Sequence, residues 1–318
     1  MAVNFGRNGY NRLAAAAIIL IAGLLAGCGS AIGNPAESPP PEPPAVRLRE
    51  VSIPVPLAAG IAAEENDKAV IDYSNASDGY VMVRYHQVTS NDLMVLIDSP
   101  NGEQYSYMLH PGEYEVFPLT EGDGQYSVTV CEQIDNLKFK VVIRAHMDVA
   151  LANPLSPFLR PSQHVNYNKD SAAVKKAGEV TSGTQDLIGD ISAVYSFVIN
   201  NISYDEQLAQ TVESGYLPDV DAVLASGKGI CFDYAALMTA MLRSLGIPTK
   251  LVFGYTGEFY HAWISVYSEE EGWIDNIIFF DGINWMLMDP TFASGKNQSR
   301  EAARFIGDGS NYLAKFQY

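Results

Sequence analysis

The chain has 318 residues, 47% of them hydrophobic. That is enough for one large domain or two ordinary ones, and it argues against disorder as the main state. Lys and Arg number 20 against 37 Asp and Glu, a net charge of −17, and a body this acidic does not gather phosphates, which excludes nucleic acid as a partner. Three cysteines are too few for a disulfide scaffold, so packed cores must hold the fold.

The chain opens with an address. Arg7 and Arg12 form a short basic stretch, and Ala14 to Leu25 an apolar run too short to span a bilayer. Ala26 and Gly27 are the small residues a signal peptidase requires. Cys28 follows, and Leu25-Ala26-Gly27-Cys28 resembles the lipobox of bacterial lipoproteins. That resemblance implies that residues 1–27 are a signal peptide removed on export. It also implies that Cys28 is lipidated and anchors the chain to a cell membrane, facing away from the cytoplasm. Two or three acyl chains make a stable anchor where one does not. Residues 28–50 are rich in Pro, Ala, Ser and Glu and include Pro39-Pro40-Pro41 and Pro43-Pro44. Such a segment extends as polyproline II at about 3.1 Å per residue, a tether of roughly 60 Å.

Residues 51–153 form a first, β-rich domain, and from about Lys68 to Val149 its apolar residues recur with period two. Val81, Val83 and Tyr85 form one such run, Leu93 to Ile97 another, and Tyr105 to Leu109, Tyr126 to Cys131 and Phe139 to Ile143 continue the series. Ser77-Asp78-Gly79, Asn101-Gly102, Pro111-Gly112 and Gly122-Asp123-Gly124 separate them as turns. Asn101-Gly102 predicts a hairpin with a primed turn. Six or seven short strands read as a small antiparallel sandwich. His86, His110 and His146 lack ligand spacing and read as structural, and Cys131 reads as a small core residue.

From 154 to 318 the period changes. Leu187, Ile188, Ile191, Val194, Tyr195 and Val198 predict a helix within 184–201, with Asp186 in its first turn. A second helix is predicted from Cys231 to Leu245, with Tyr234, Leu237, Met238, Met241, Leu242 and Leu245 as its buried stripe. Gly246 and Pro248 terminate it. Strand-like runs follow at Lys250–Tyr255, His261–Tyr267, Asn276–Phe280 and Asn284–Met288. Helices followed by an antiparallel sheet define an α+β arrangement.

Gly227-Lys228-Gly229-Ile230-Cys231 sets a cysteine at a helix start. The unpaired first-turn N–H groups and the helix dipole favour thiolate there, and such positions lower a cysteine pKa from about 8.5 into the range of about 3.5–7.5. His261 opens a strand, and Asp289 ends another at Asp289-Pro290-Thr291. Nucleophile, base and orienting carboxylate in this order suit acyl transfer through a thioester. Gly229-x-Cys231-x-Asp233-Tyr234-Ala235, His261-Ala262-Trp263 and Asp289-Pro290-Thr291 together resemble the core motifs of the transglutaminase-like superfamily, over about Leu187 to Phe292. The resemblance implies a papain-like fold with Cys231, His261 and Asp289 as catalytic triad, and the N–H of Cys231 is a natural oxyanion donor. Animal transglutaminases add an indole donor upstream of the cysteine. Here the tryptophans stand only at 263, 273 and 285, so a Tyr or Gln side chain, or backbone alone, must replace it.

No metal or cofactor motif is present in the sequence. The expected partner is a peptide or protein substrate, cell-wall peptide among them, with hydrolysis favoured over transamidation. The alternative is a non-catalytic cell-surface binding protein on the same scaffold. A Cys131–Cys231 disulfide would silence the nucleophile and requires Cα atoms within about 7 Å.

Overall fold

The computed structural model describes residues 53–135, 138–274, 278–280, 285–287 and 312–318. The predicted signal peptide, Cys28 and the tether lie outside them. Eight antiparallel strands come first: β1 (Ala63–Glu65), β2 (Ala69–Asp72), β3 (Tyr80–Tyr85), β4 (Leu93–Asp98), β5 (Gln104–Leu109), β6 (Glu115–Pro118), β7 (Gly124–Asp135) and β8 (Lys138–Val149). They form two four-stranded sheets, in the orders β1-β2-β3-β6 and β5-β4-β7-β8. Alternation places Tyr105, Tyr107 and Leu109 inward on β5, and Tyr107 meets Phe117 of β6 edge-on, with ring centroids 4.9 Å apart. One apolar core fills the space between the sheets.

The predicted primed turn at Asn101-Gly102 does not form. The last pair of the β4–β5 ladder is Asp98 with Gln104, which leaves a five-residue connection. Pro100 carries no N–H to extend the ladder. The Asn101 side chain instead accepts from Ser99 Oγ (2.6 Å) and from the Glu103 N–H (3.0 Å), and Gly102 takes the left-handed conformation at φ 89°.

The second body carries α1 (Ala172–Val180), α2 (Leu187–Asn201), β9 (Ser203–Tyr204), α3 (Glu206–Thr211), α4 (Val220–Ser226), β10 (Lys228–Gly229) and α5 (Cys231–Ser244). The strands β11 (Thr249–Thr256), β12 (Phe259–Ser268), β13 (Gly272–Ile274), β14 (Ile278–Phe280), β15 (Trp285–Leu287) and β16 (Tyr312–Gln317) follow. Four of them make an antiparallel sheet in the order β13-β12-β11-β16, and β14 pairs with β15. The architecture is α+β, as the sequence pattern predicts. Asp186 is the N-cap of α2, its carboxylate accepting from the Gly189 N–H at 2.7 Å, rather than a first-turn residue.

Helix α5 is the axis of this body. It packs on β12 and β11 on one side and on α1, α2 and α4 on the other. Every residue from Phe232 to Ser244 is buried, not the single stripe that the sequence predicts. Ala235, Ala236 and Ala240 supply the small surfaces that let neighbours close around the whole circumference. The two bodies meet through aromatic rings: Tyr105 stands edge-on to Phe316 (5.3 Å) and Tyr318 (5.4 Å), and Tyr107 edge-on to Tyr318 (5.6 Å).

At the far end of α5, Arg243 is buried. Its Nε donates to the Thr249 carbonyl (2.8 Å), one terminal nitrogen to Arg160 O (2.8 Å) and the other to Tyr318 O (2.6 Å). Burial holds its pKa down to about 10, so it remains a cation at neutral pH. Removing a buried charged donor leaves its acceptors unpaired, at about 3–5 kcal/mol. Arg243→Met is therefore expected to cost about that much in urea unfolding. Arg243→Lys should recover only a fraction, because one ammonium cannot reproduce the fork.

Candidate active site

The start of α5 is assembled from the loops before it. Asp219 caps α4 by accepting from the N–H groups of Asp221 (3.1 Å) and Ala222 (3.0 Å). Gly227 ends that helix in the left-handed conformation, φ 63°, with its N–H on Val223 O. Lys228 and Gly229 then pair in parallel with Ser203 and Tyr204, through Ser203 N to Gly227 O (2.8 Å) and Asp205 N to Gly229 O (2.9 Å). A Cβ on Gly229 would stand 2.5 Å from Cβ of Asp233. The glycine of the Gly-x-Cys motif therefore exists to let Asp233 fold back.

Asp233 is fully buried at the third position of the helix. One carboxylate oxygen accepts from the Ile230 N–H (2.8 Å), and the other from the Tyr216 hydroxyl (2.7 Å). Burial raises its pKa, and these two hydrogen bonds oppose the rise. Tyr234 donates to Ile202 O at 2.8 Å, and Ala235 has no exposed surface. The sequence Asp233-Tyr234-Ala235 is thus a clamp on the loop that precedes the cysteine. Ile230 supplies no capping side chain to the first turn. Cys231, the first helical residue, is half-buried with a free thiol.

His261 lies on β12, opposite Gly254 of β11 in the register. It is 7% exposed, so the imidazole is not an ordinary surface group. Trp263, two residues on, lies nearly parallel to its ring at 6.3 Å, and Tyr312 sits at 6.4 Å. Gly254 admits no side chain, since a Cβ would meet Leu313 O at 2.1 Å and the Trp263 indole at 2.7 Å. Beside His261, Tyr260 stacks on Phe253 (5.8 Å), and Phe253 meets Phe232 edge-on (4.8 Å). This ladder ties the second residue of α5 to the first residues of β12. The Tyr260 hydroxyl pKa is raised, first by burial, then by the charges of Tyr255 and Cys231.

Asp289 lies outside the described residues, as does Cys28, so neither has a described position. Cys131 is buried on β7, and burial pushes its thiol pKa up. Both Cys131 and Cys231 are free thiols, so the disulfide alternative is not formed. Among the Tyr and Gln side chains considered as substitutes for the indole donor, Tyr216 is engaged by Asp233, whereas Tyr260 shares the electrostatic surroundings of Cys231. The role of Asp233 was readable as an acid three residues after an N-cap position. Tyr216 carried no comparable signal. Among the described residues, no group of three or more His, Cys, Asp or Glu side chains is placed to share a metal ion.

A helix that begins with a cysteine, packed on an antiparallel sheet, defines a cysteine-centred α+β core. Residues 174–290 match the family model of the transglutaminase-like superfamily. The chain is 28% identical over 139 residues to the kyphoscoliosis peptidase of Mus musculus, covering 36% of this chain and 19% of that protein. It is also 28% identical over 115 residues to the uncharacterized protein YebA of Bacillus subtilis, covering 30% and 16%. The chain thus spans about a fifth or less of the length of these relatives. Among solved structures, red sea bream transglutaminase aligns with a TM-score of 0.29 and 13% identity, covering 72% of this chain and 53% of that one.

Asp233→Ala strips acceptors from the Tyr216 hydroxyl and the Ile230 N–H, each unsatisfied group costing about 1–3 kcal/mol. The expected result is a loss of about 2–4 kcal/mol in chemical denaturation, with slower alkylation of Cys231 in the molecules that remain folded.

Proposed function

We propose that this protein is a cysteine acyl-transfer enzyme held at a cell membrane by lipid on Cys28, acting on peptide or protein amides outside the cytoplasm. The observation that carries the reading is Cys231 itself, a half-exposed free thiol at the first position of a buried helix.

The roles follow from the groups present. The Cys231 thiolate attacks the amide carbonyl, and negative charge on the carbonyl oxygen is met by the Cys231 N–H. The C–N bond breaks as His261 imidazolium gives its proton to the departing amine, leaving a thioester on Cys231. His261, now neutral, takes a proton from water, which attacks the thioester. Carboxylate is released, and the sulfur leaves as thiolate. Asp289 orients the imidazole and stabilises its charged form. An amine in place of water would give transamidation. Hydrolysis is the favoured course, because the upstream indole that the resemblance associates with animal transglutaminases has no counterpart in this sequence. The reaction calls on no cofactor, and cell-wall peptide fits the proposed location.

Iodoacetamide, with mass spectrometry to locate the adduct, is expected to modify the half-exposed Cys231 rapidly and to spare the buried Cys131. His261→Ala should slow alkylation of Cys231, since it removes the imidazolium proposed to pair with the thiolate. An identical rate in that variant rules out the pair. Replacing Cys28 by Ala should move the protein from the membrane fraction to the soluble extracytoplasmic fraction, as immunoblotting of fractionated cells would show.

A further inference from the structure

Helix α5 and strand β11 run in opposite directions. Arg243, near the end of the helix, donates to the Thr249 carbonyl at the start of the strand. Phe232, near the start of the helix, meets Phe253 further along the strand at 4.8 Å. The strand then continues past the helix. Tyr255 lies two residues beyond Phe253, so it shares that face of β11 about 6.6 Å further on. The register sets Tyr260 of β12 on one side of Tyr255 and Leu313 of β16 on the other. Three strands thus carry one row of side chains beyond the end of α5 that bears Cys231.

Exposure follows that geometry. Ala262, Ile264 and Val266 alternate with Tyr260 along the same face of β12, and α5 packs on this strand and leaves them no exposed surface. One step on, Tyr260 is 55% exposed, Tyr255 40% and Leu313 58%. A single apolar residue on a surface is ordinary, whereas three side by side form a patch suited to a partner. The rings are already set, since Tyr260 stacks on Phe253 at 5.8 Å and stands edge-on to Tyr255 at 5.5 Å. Side chains fixed in this way lose little freedom when a guest settles on them.

The row adjoins the sulfur. Phe232 follows Cys231 in the chain and touches Phe253, which carries the Tyr260 ring. The charge of Cys231 also reaches the Tyr260 hydroxyl, adding to burial and Tyr255 in raising its pKa. A peptide attacked at Cys231 therefore brings its neighbouring side chains within reach of the row. An aromatic or aliphatic guest there gains ring packing and leaves water, and a carboxylate gains neither.

We propose that Tyr255, Tyr260 and Leu313 form a specificity shelf for an aromatic or large aliphatic side chain of the substrate peptide, beside the amide that reacts, a reading that rests on Cys231 being the nucleophile.

The test compares iodoacetamide with its N-benzyl, N-carboxypropyl and N-aminopropyl derivatives on the full chain, each rate divided by that reagent's rate with glutathione. In every case the Cys231 sulfur bonds to the methylene carbon and iodide leaves, and mass spectrometry locates the adduct. The N-benzyl reagent is expected to react at least tenfold faster than the other three. Tyr255→Ser and Leu313→Ser, both at exposed positions, should each reduce that preference to below threefold. Phe259→Ser, exposed but paired with Thr256 outside the row, should retain it. A preference for the aminopropyl reagent, or an equal loss in the Phe259 variant, would overturn the shelf. So would a benzyl preference that fades as protein concentration rises, which would give the row to a second copy of the chain. Equal rates for all reagents, with rapid iodoacetamide modification of Cys231, would overturn the shelf and leave the nucleophile standing. Slow iodoacetamide modification as well would overturn both.

Discussion

A single guanidinium sets the frame of the α+β body. Arg243 points its donors at main-chain carbonyls from three separate stretches of chain, Arg160, Thr249 and Tyr318. Each carbonyl is itself a strong dipole that must be satisfied once buried, so cation and acceptors answer one another's desolvation. Lysine, with one small charged head, could not serve three directions at fixed angles. The bonds fix the far end of α5 against β11, β16 and the segment leading out of the sandwich. A helix of 14 residues is a rod of about 21 Å, so what is fixed at Arg243 is transmitted to Cys231.

The opposite end of the rod is held by different means. There the chain arrives through a short parallel pairing and a buried carboxylate, and the glycines flanking that approach are there for space. Gly229 yields to Asp233 and Gly227 to the Asn201 carbonyl, 3.1 Å from where its Cβ would be. The motif residues around the cysteine therefore divide into those that hold the loop and one, Cys231, left half-exposed. On the far side of Phe232 the β-rich body closes in through Tyr107, which stacks on His164 as His164 meets Phe232 edge-on, next to Cys231 in the chain.

Much of this was legible from the sequence where one periodicity ruled a long enough stretch. Leu187–Asn201 and Cys231–Ser244 were marked by helical spacing and clear ends, and β11 and β12 by β-branched and aromatic runs. Helices α3 and α4, of six and seven residues, are too short to display a face, and their Asp caps look like any loop acid. β16 reads Tyr-Leu-Ala-Lys-Phe-Gln, and its membership of the sheet depends on β11 and on the rings of Tyr105 and Tyr107 rather than on its own pattern. The hairpin predicted at Asn101 forms, but with a five-residue connection in place of the primed turn, because Pro100, one residue upstream, overrides the local turn preference. The ring contacts around Phe232 could not be read at all, since Tyr107, His164 and Tyr216 come from distant parts of the chain. Of the three motif residues read as chemical, two have described positions, on α5 and β12, while Asp289 lies beyond the described residues.

The order of the sheet carries a consequence for biosynthesis. β16 is the latest strand in the sequence, yet it occupies the edge beside β11 and provides the Tyr318 carbonyl that Arg243 requires. Between emergence of Cys231 and emergence of Tyr318, synthesis at about 5–20 residues per second takes roughly four to seventeen seconds. Through that interval α5 has no complete sheet to lie on, β11 presents a bare edge, and the guanidinium lacks one of its acceptors. Maturation of the α+β body is therefore tied to completion of β16, and a nascent chain halted before it would leave Cys231 at the start of a helix whose sheet is still open.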